Sequence, residues 1–355
     1  MRVEGPLPPE DLAHVRLGVE ALWPDLKGAG IFITGGTGFF GRWLIESLLS
    51  ANEHYNLGVR VVVLSRNPGS FLDAAPHLAN SGLNWLKGSV TTLDPEALDR
   101  ERFDMVIHLA TESDMLATRL DPQAAVGVIT NGTRRVLEIA ARTGARRFLF
   151  TSSGAVYGPQ PREMERISEA YDGKHDPADT AFQYALPGEA KRQAELLCVE
   201  HSKREGLGTV IARCFTFAGP GLPTGSKFAF GNFIKDALAG GTIVIKGDGT
   251  AIRSYLYAAD LAIWLWTLLL RGTPGRAYNV GSEYPVSLRH LAEIMAKELG
   301  AKEIKVLQEP KADGTLDRYV PSTKRAHEEL GLRENFNLQE IVQKTAAWHR
   351  AAVKH

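Results

Sequence analysis

Short apolar runs and amphipathic stretches alternate along the chain from residue 30 onward. Ile31-Phe32-Ile33-Thr34 is an apolar run that stops at Gly35, and residues 42–50 then place Leu44, Ile45, Leu48 and Leu49 on one helical face. Residues 59–64 and 105–109 read as further buried strands, residues 121–141 as a helix and residues 147–150 as a strand. A helix over 188–203 and a strand over 209–212 extend the series. Continuous apolar strands separated by helices predict an α/β fold, a doubly wound parallel sheet covered on both faces.

This rhythm breaks after about residue 217. Gly219-Pro220-Gly221 and the stretch 223–225 are rich in turn formers, and the later elements are shorter. The pattern predicts three parts: an N-terminal helical extension (1–28), a sheet domain (29–216) and a smaller lobe (217–355), with the chain returning to the sheet near 252–282. Within the extension, Leu12, Val15, Val19 and Leu22 are spaced for one face of a helix over residues 9–26.

Composition narrows the function without naming it. The 355 residues carry 41 basic and 41 acidic side chains, so the net charge is zero and the footprint of a general nucleic-acid binder is missing. Cys198 and Cys214 are the two cysteines, without the spacing of a disulfide framework or a metal site, and no metal is expected. His108 on its apolar strand reads as a structural histidine. The most apolar run, 261–270, is about half of what a membrane span requires, and the first 28 residues lack a signal-peptide core. A soluble cytoplasmic protein is expected.

Candidate chemistry begins at Thr34-Gly35-Gly36-Thr37-Gly38-Phe39-Phe40-Gly41, between the first strand and its helix. Glycines there permit a tight turn and close backbone approach to a pyrophosphate, while the helix N-terminus faces the anion. Strand, loop and helix follow in the order that a dinucleotide-binding Rossmann unit requires. The second strand ends in Ser65-Arg66, which offers a hydroxyl and a guanidinium where an NAD-selective site presents a carboxylate. NADP(H) is therefore favoured, with NAD(H) the alternative.

Taken together, the motifs resemble the extended short-chain dehydrogenase/reductase family of nucleotide-sugar epimerases, dehydratases and reductases. They are residues 34–41, His108-Leu109-Ala110, Asn131-Gly132-Thr133, residues 151–158, residues 188–192, Gly219-Pro220-Gly221, Gly247-Asp248-Gly249 and Arg253-Ser254-Tyr255. The resemblance implies that Gly35, Gly38, Phe39, Phe40, Gly41, Ser65, Arg66, Leu109, Ala110 and Lys191 line a dinucleotide, with Asn131 on that side. It implies that Ser153 and Lys191 are catalytic, the hydroxyl bonding the reacting sugar oxygen and the lysine holding the nicotinamide ribose and lowering the pKa of the catalytic phenol. It also implies that Ser153, Asn232, Arg253 and Arg318 meet the substrate, Arg253 on its diphosphate and Arg318 at a second anion-binding point. A guanidinium suits that task because it binds phosphate oxygens in a fork.

Three departures from the family qualify what the resemblance implies. The family's Tyr-x-x-x-Lys places a phenol one helical turn before the lysine as acid/base, but Pro187 stands at that position before Lys191. Tyr184 is the nearest substitute, carried inward by a loop over 177–186; water or a substrate group is a second answer, and lost chemistry a third. Family dehydratases carry Asp-Glu where Gly154 and Ala155 stand, which disfavours 4,6-dehydration. Thr216 and Ala218 replace an asparagine and a tyrosine that feed the substrate pocket, so the sugar stays unassigned.

The function expected is that of an NAD(P)-dependent nucleotide-sugar oxidoreductase or epimerase working through hydride transfer at a 4-keto or 4-hydroxyl position. The alternative is a catalytically impaired cofactor-binding sensor or assembly protein, motivated by Pro187. The family's dimer helices match 121–141 and 188–203, so a homodimer is expected.

Overall fold

The computed structural model describes residues 5–111, 121–173, 184–225, 228–310 and 317–352. Seven parallel strands form the central sheet: β1 (Gly30–Thr34), β2 (Arg60–Ser65), β3 (Asn84–Lys87), β4 (Met105–His108), β5 (Arg147–Ser153), β6 (Gly208–Cys214) and β7 (Arg276–Val280). Their order across the sheet is β7-β6-β5-β4-β1-β2-β3. The order reverses between β1 and β4, where open α/β sheets bind their ligands at the carboxyl ends of the strands. Every residue of β1 and β4 is buried, as their uninterrupted apolar runs require of strands covered on both faces.

Helices α1 (Pro9–Gly18), α2 (Phe39–Tyr55), α3 (Pro122–Thr143), α4 (Ala185–Glu205), α5 (Ala229–Leu238), α6 (Ala258–Arg271), α7 (Leu288–Leu299) and α8 (Leu338–Ala352) surround the strands. The caps follow the sequence. Asp121 accepts the Ala124 amide at 2.8 Å to start α3, and Gly144 ends it at φ +80°. α3 and α4 pack side by side. The apolar run 261–270 is the interior of α6, buried from Ala258 to Leu270 against α1, α2 and the sheet. Among the described residues no helix is long and apolar enough to cross a membrane.

The extension is not the single helix expected over 9–26. α1 stops at Gly18, and residues Glu20–Leu26 form a 3₁₀ helix. Pro24 explains the break, since it has no amide proton to give an α-helix and its ring crowds the preceding turn. Gly18 lets α1 pack closely on α6, where a Cβ would meet the Ile263 side chain at 2.5 Å. The extension is fastened by charge as well as by apolar contact. Buried Asp11 accepts the Tyr257 hydroxyl at 2.5 Å and the Lys344 ammonium at 2.8 Å.

Beyond β6 the chain builds short sheets. Phe217–Ala218 pairs with Leu256–Tyr257, and Thr242–Ile245 pairs with Glu303–Val306. The short strand Ile252–Arg253 lies between Val286–Ser287 and Arg318–Tyr319. α6 returns to the large sheet, and β7 joins its edge beside β6.

Candidate active site

The glycine loop is shaped by close approaches. Gly35 adopts φ +72°, and a Cβ there would stand 2.7 Å from the Ala110 amide nitrogen. At Gly41 a Cβ would fall 2.4 Å from the Gly36 Cα, so α2 and the loop touch backbone to backbone. Gly38 precedes α2 and supplies no capping side chain, which leaves the first-turn amides of Phe39, Phe40 and Gly41 without intrahelical acceptors. Leu109 and Ala110 face the loop across the switch point, their amides donating to the Thr34 carbonyl at 3.1 Å and the Thr34 hydroxyl at 3.3 Å. Such a cradle, with no side chain in it, fits the pyrophosphate of a dinucleotide. Ser65 closes β2 in a buried position and Arg66 follows it, exposed. Phe40 packs edge-on against Phe217 at 5.0 Å, which ties the loop to the short strand Phe217–Ala218 beyond β6.

The carboxyl end of β5 gathers the next group. Ser153 ends the strand, and its hydroxyl accepts the Ala155 amide at 3.1 Å. Lys191 enters from α4, where it is buried; its ammonium donates to the Thr151 carbonyl at 2.7 Å and sits 4.7 Å from the centre of the Phe150 ring. Burial pulls its pKa down to about 8, against the opposing pull of Cys214, Cys198 and Glu195. His108 is held between the hydroxyls of Thr34 (2.7 Å) and Thr133 (3.1 Å). Burial, then the nearby Lys191 charge, lowers its pKa to about 3, so it stays neutral and braces β1, β4 and α3.

Sequence reasoning missed what supports this end of the sheet. One turn beyond Lys191, Glu195 accepts the Ser152 hydroxyl at 2.5 Å and a forked contact from Arg213 at 2.6–3.2 Å. Arg213 donates on to the Tyr157 hydroxyl at 2.9 Å, and that hydroxyl donates to the Asn279 side-chain carbonyl at 2.7 Å. Burial pushes the Tyr157 phenol up to about 12, with Arg213 acting the other way. The chain of contacts joins α4, β5, β6 and β7. No motif marks it, because its members are far apart in sequence.

Among the residues expected to meet a substrate, Arg253 donates to the Asp317 carboxylate at 2.6 Å and to its carbonyl at 2.9 Å. Arg318 occupies the neighbouring strand opposite Ile252, and Asn232 lies half-buried in the first turn of α5. Tyr184 stands immediately before α4, with Pro187 inside the helix's first turn, and is 36% exposed. Most of the loop over 177–186 expected to carry it inward lies outside the described residues. Tyr319, which sequence reasoning passed over, reaches the Ser153 end of β5, with its hydroxyl 3.4 Å from the Cys214 carbonyl. Asn131 is exposed on α3 and borders an open depression of about 390 Å³ with Thr91, Arg134 and Arg135. No cluster of three His, Cys, Asp or Glu suited to a metal ion occurs among the described residues.

Known proteins resemble this chain in sequence and fold. The chain is 26% identical over 314 residues to UDP-glucuronic acid decarboxylase 2 of Arabidopsis thaliana, an alignment covering 88% of this chain and 66% of that protein. It is 26% identical over 324 residues to dTDP-glucose 4,6-dehydratase of Streptomyces niveus, covering 90% of this chain and 92% of the relative. The crystal structure of UDP-glucose 4-epimerase from Thermotoga maritima with UDP-glucose superposes with a TM-score of 0.78 at 21% identity, covering 91% of this chain and 99% of that one. Residues 31–281 match one protein family throughout, from the first residues of β1 to the end of β7. The chain therefore belongs to the NAD dependent epimerase/dehydratase family.

Proposed function

We propose that the protein is an NADP(H)-dependent enzyme acting on a nucleotide-diphosphate sugar, reducing a 4-keto group or epimerising through one. The observation that carries this reading is the convergence at the carboxyl edge of one sheet. The glycine cradle lies after β1, Ser153 ends β5, and Lys191 is bonded to the Thr151 carbonyl two residues earlier on that strand. A nicotinamide dinucleotide bound in the cradle supplies the hydride exchange.

The chain's own residues do the rest. Ser153 holds the sugar oxygen through its hydroxyl. Lys191, with a pKa lowered to about 8 by burial, steadies the cofactor ribose and supplies positive charge beside the oxygen. Arg253 offers its guanidinium to the diphosphate in exchange for the exposed Asp317 carboxylate. Gly154 and Ala155 carry no group able to move a proton, which speaks against water elimination. The relatives named for decarboxylation and dehydration share the same fold and family, so the product decides among these outcomes.

The test is turnover with UDP-glucose, UDP-glucuronic acid, dTDP-glucose and dTDP-4-keto-6-deoxyglucose, with NADPH followed by absorbance and products by mass. NADPH consumed in proportion to a reduced sugar supports reduction, and an isomer without net consumption supports epimerisation. Release of carbon dioxide moves the protein to decarboxylation. A chain that binds cofactor yet converts none of these sugars leaves the cofactor-binding sensor.

The cofactor preference has its own measurement. Arg66→Asp is expected to weaken NADPH binding about ten- to a hundredfold while sparing NADH, since a charge-assisted contact is worth roughly 1.5–3 kcal/mol. Equal losses for both cofactors refute the NADP assignment. Tyr184→Phe tests the acid/base candidate: a drop of about 10²–10⁴-fold in turnover assigns the proton to its phenol, and full activity removes Tyr184 from the mechanism. We further propose that α3 and α4 pair with a second copy in a homodimer; monomer mass by light scattering at micromolar concentration contradicts this.

A further inference from the structure

A row of polar residues crosses the carboxyl end of the central sheet. Ser152, Arg213 and Asn279 are register partners on β5, β6 and β7, one residue before the row of Ser153, Cys214 and Val280. Asn279 is wholly buried, so its carboxamide must find partners for one oxygen and two amide protons. The nitrogen donates to the Ile167 carbonyl at 2.8 Å and the Ser322 carbonyl at 3.0 Å, and the oxygen accepts the Tyr157 hydroxyl at 2.7 Å. The partners fix this orientation, because two backbone carbonyls can only accept.

Ile167 lies in the loop after β5, and Ser322 follows the short strand Arg318–Tyr319. The two segments also bond to each other: the Ile167 amide donates to the Val320 carbonyl at 2.9 Å, and the Ser322 amide to the Ile167 carbonyl at 2.7 Å. Gln160 adds a further tie, its side-chain oxygen accepting the Val320 amide at 3.0 Å. The strand Arg318–Tyr319 pairs in turn with Ile252–Arg253, and Asp317 holds the Arg253 guanidinium.

We infer that Asn279 is a positioning residue for the nucleotide sugar: its carboxamide clamps the segment 318–322 onto the loop after β5, and so sets Arg253 and Arg318 at a fixed reach from Ser153. The clamp belongs to the sheet row beside Ser153, while the glycine cradle lies across the sheet after β1. It therefore governs the sugar nucleotide and leaves the dinucleotide alone. This inference rests on the function proposed above, which places Arg253 on the substrate diphosphate.

The experiment measures binding of UDP-glucose and dTDP-glucose to the full chain by calorimetry, with NADPH titrated separately. Asn279→Leu keeps the volume and removes both donors. It is expected to weaken the nucleotide sugar that the wild type binds by about tenfold, with the NADPH Kd unchanged. Gln160→Met removes only the Val320 tie; it is expected to weaken the same ligand by a smaller factor, and it carries the test if Asn279→Leu does not fold. Arg147→Met controls for lost stability, because its guanidinium donates to the Leu268, Leu269 and Gly272 carbonyls from the opposite end of β5. It is expected to lower Tm and leave both affinities as they are. Sugar-nucleotide affinity within twofold of wild type in the folded clamp variants, an equal loss in Arg147→Met, or an equal loss for NADPH overturns the inference and leaves the proposed function standing. A wild-type chain that binds neither nucleotide sugar and converts none of the four sugars removes both.

Discussion

Lys191→Met is expected to lose turnover by at least about 10²-fold and yet to fold more stably than the wild type at neutral pH. The ammonium is buried, and its pKa of about 8 lies well below the 10.5 of a free lysine. Holding it charged inside the fold therefore costs up to about 3 kcal/mol, at 1.36 kcal/mol per pKa unit. The direction with pH follows from proton counting. Between about pH 8 and pH 10.5 the unfolded chain binds a proton at this lysine that the folded chain does not, so wild-type stability gains from rising pH across that window. Below pH 8 the cost is present in full. The methionine variant lacks this contribution, so its advantage is largest at pH 7 and fades by pH 10. Urea unfolding at the two pH values measures it. An equal difference at both places Lys191 in a hydrated setting that the fold does not provide.

Glu195→Ala carries the largest expected loss of stability, about 3–5 kcal/mol, the usual consequence of leaving one half of a buried ion pair behind. Arg213 is about one-fifth exposed and Glu195 less, and the carboxylate accepts from both Arg213 and Ser152. Removing it strands a guanidinium between β6 and α4 and leaves the Ser152 hydroxyl without its acceptor. Because Lys191 sits one turn earlier on the same helix, turnover should fall as well. Glu195→Gln is expected to lose less: its carbonyl oxygen can still accept from Ser152 and the Arg213 Nε, while its amide nitrogen, a donor, gives up the Arg213 Nη2 contact together with the charge. An alanine variant that unfolds at the wild-type urea concentration would show that the pair contributes nothing, as exposed pairs often do.

The large sheet was legible because its strands are buried on both faces, and such strands appear as unbroken apolar runs. β1, β2, β4, β5 and β6 each follow a run read from the residues. β3 was missed for the complementary reason: Asn84-Trp85-Leu86-Lys87 lies at the sheet edge with exposed ends, and leaves no apolar run. The extension shows a different failure. Its apolar spacing is helical throughout, but Pro24 cannot give the α-helical hydrogen bond, and the chain continues as a 3₁₀ helix over Glu20–Leu26.

The chain by itself determined the sheet, the glycine cradle after β1 and the candidacy of Ser153 and Lys191, since each rests on neighbours in sequence or on a local motif. Only the tertiary structure decided which groups meet at the carboxyl edge of the sheet. It set Glu195 on Arg213, it fastened Arg253 to Asp317, and it placed the Tyr319 phenol in the room that Gly154 leaves open. Local pattern records burial and turn geometry, which propagate over a few residues. Pairings between separate strands and helices are settled by packing, where one absent side chain makes space for another from the far end of the chain.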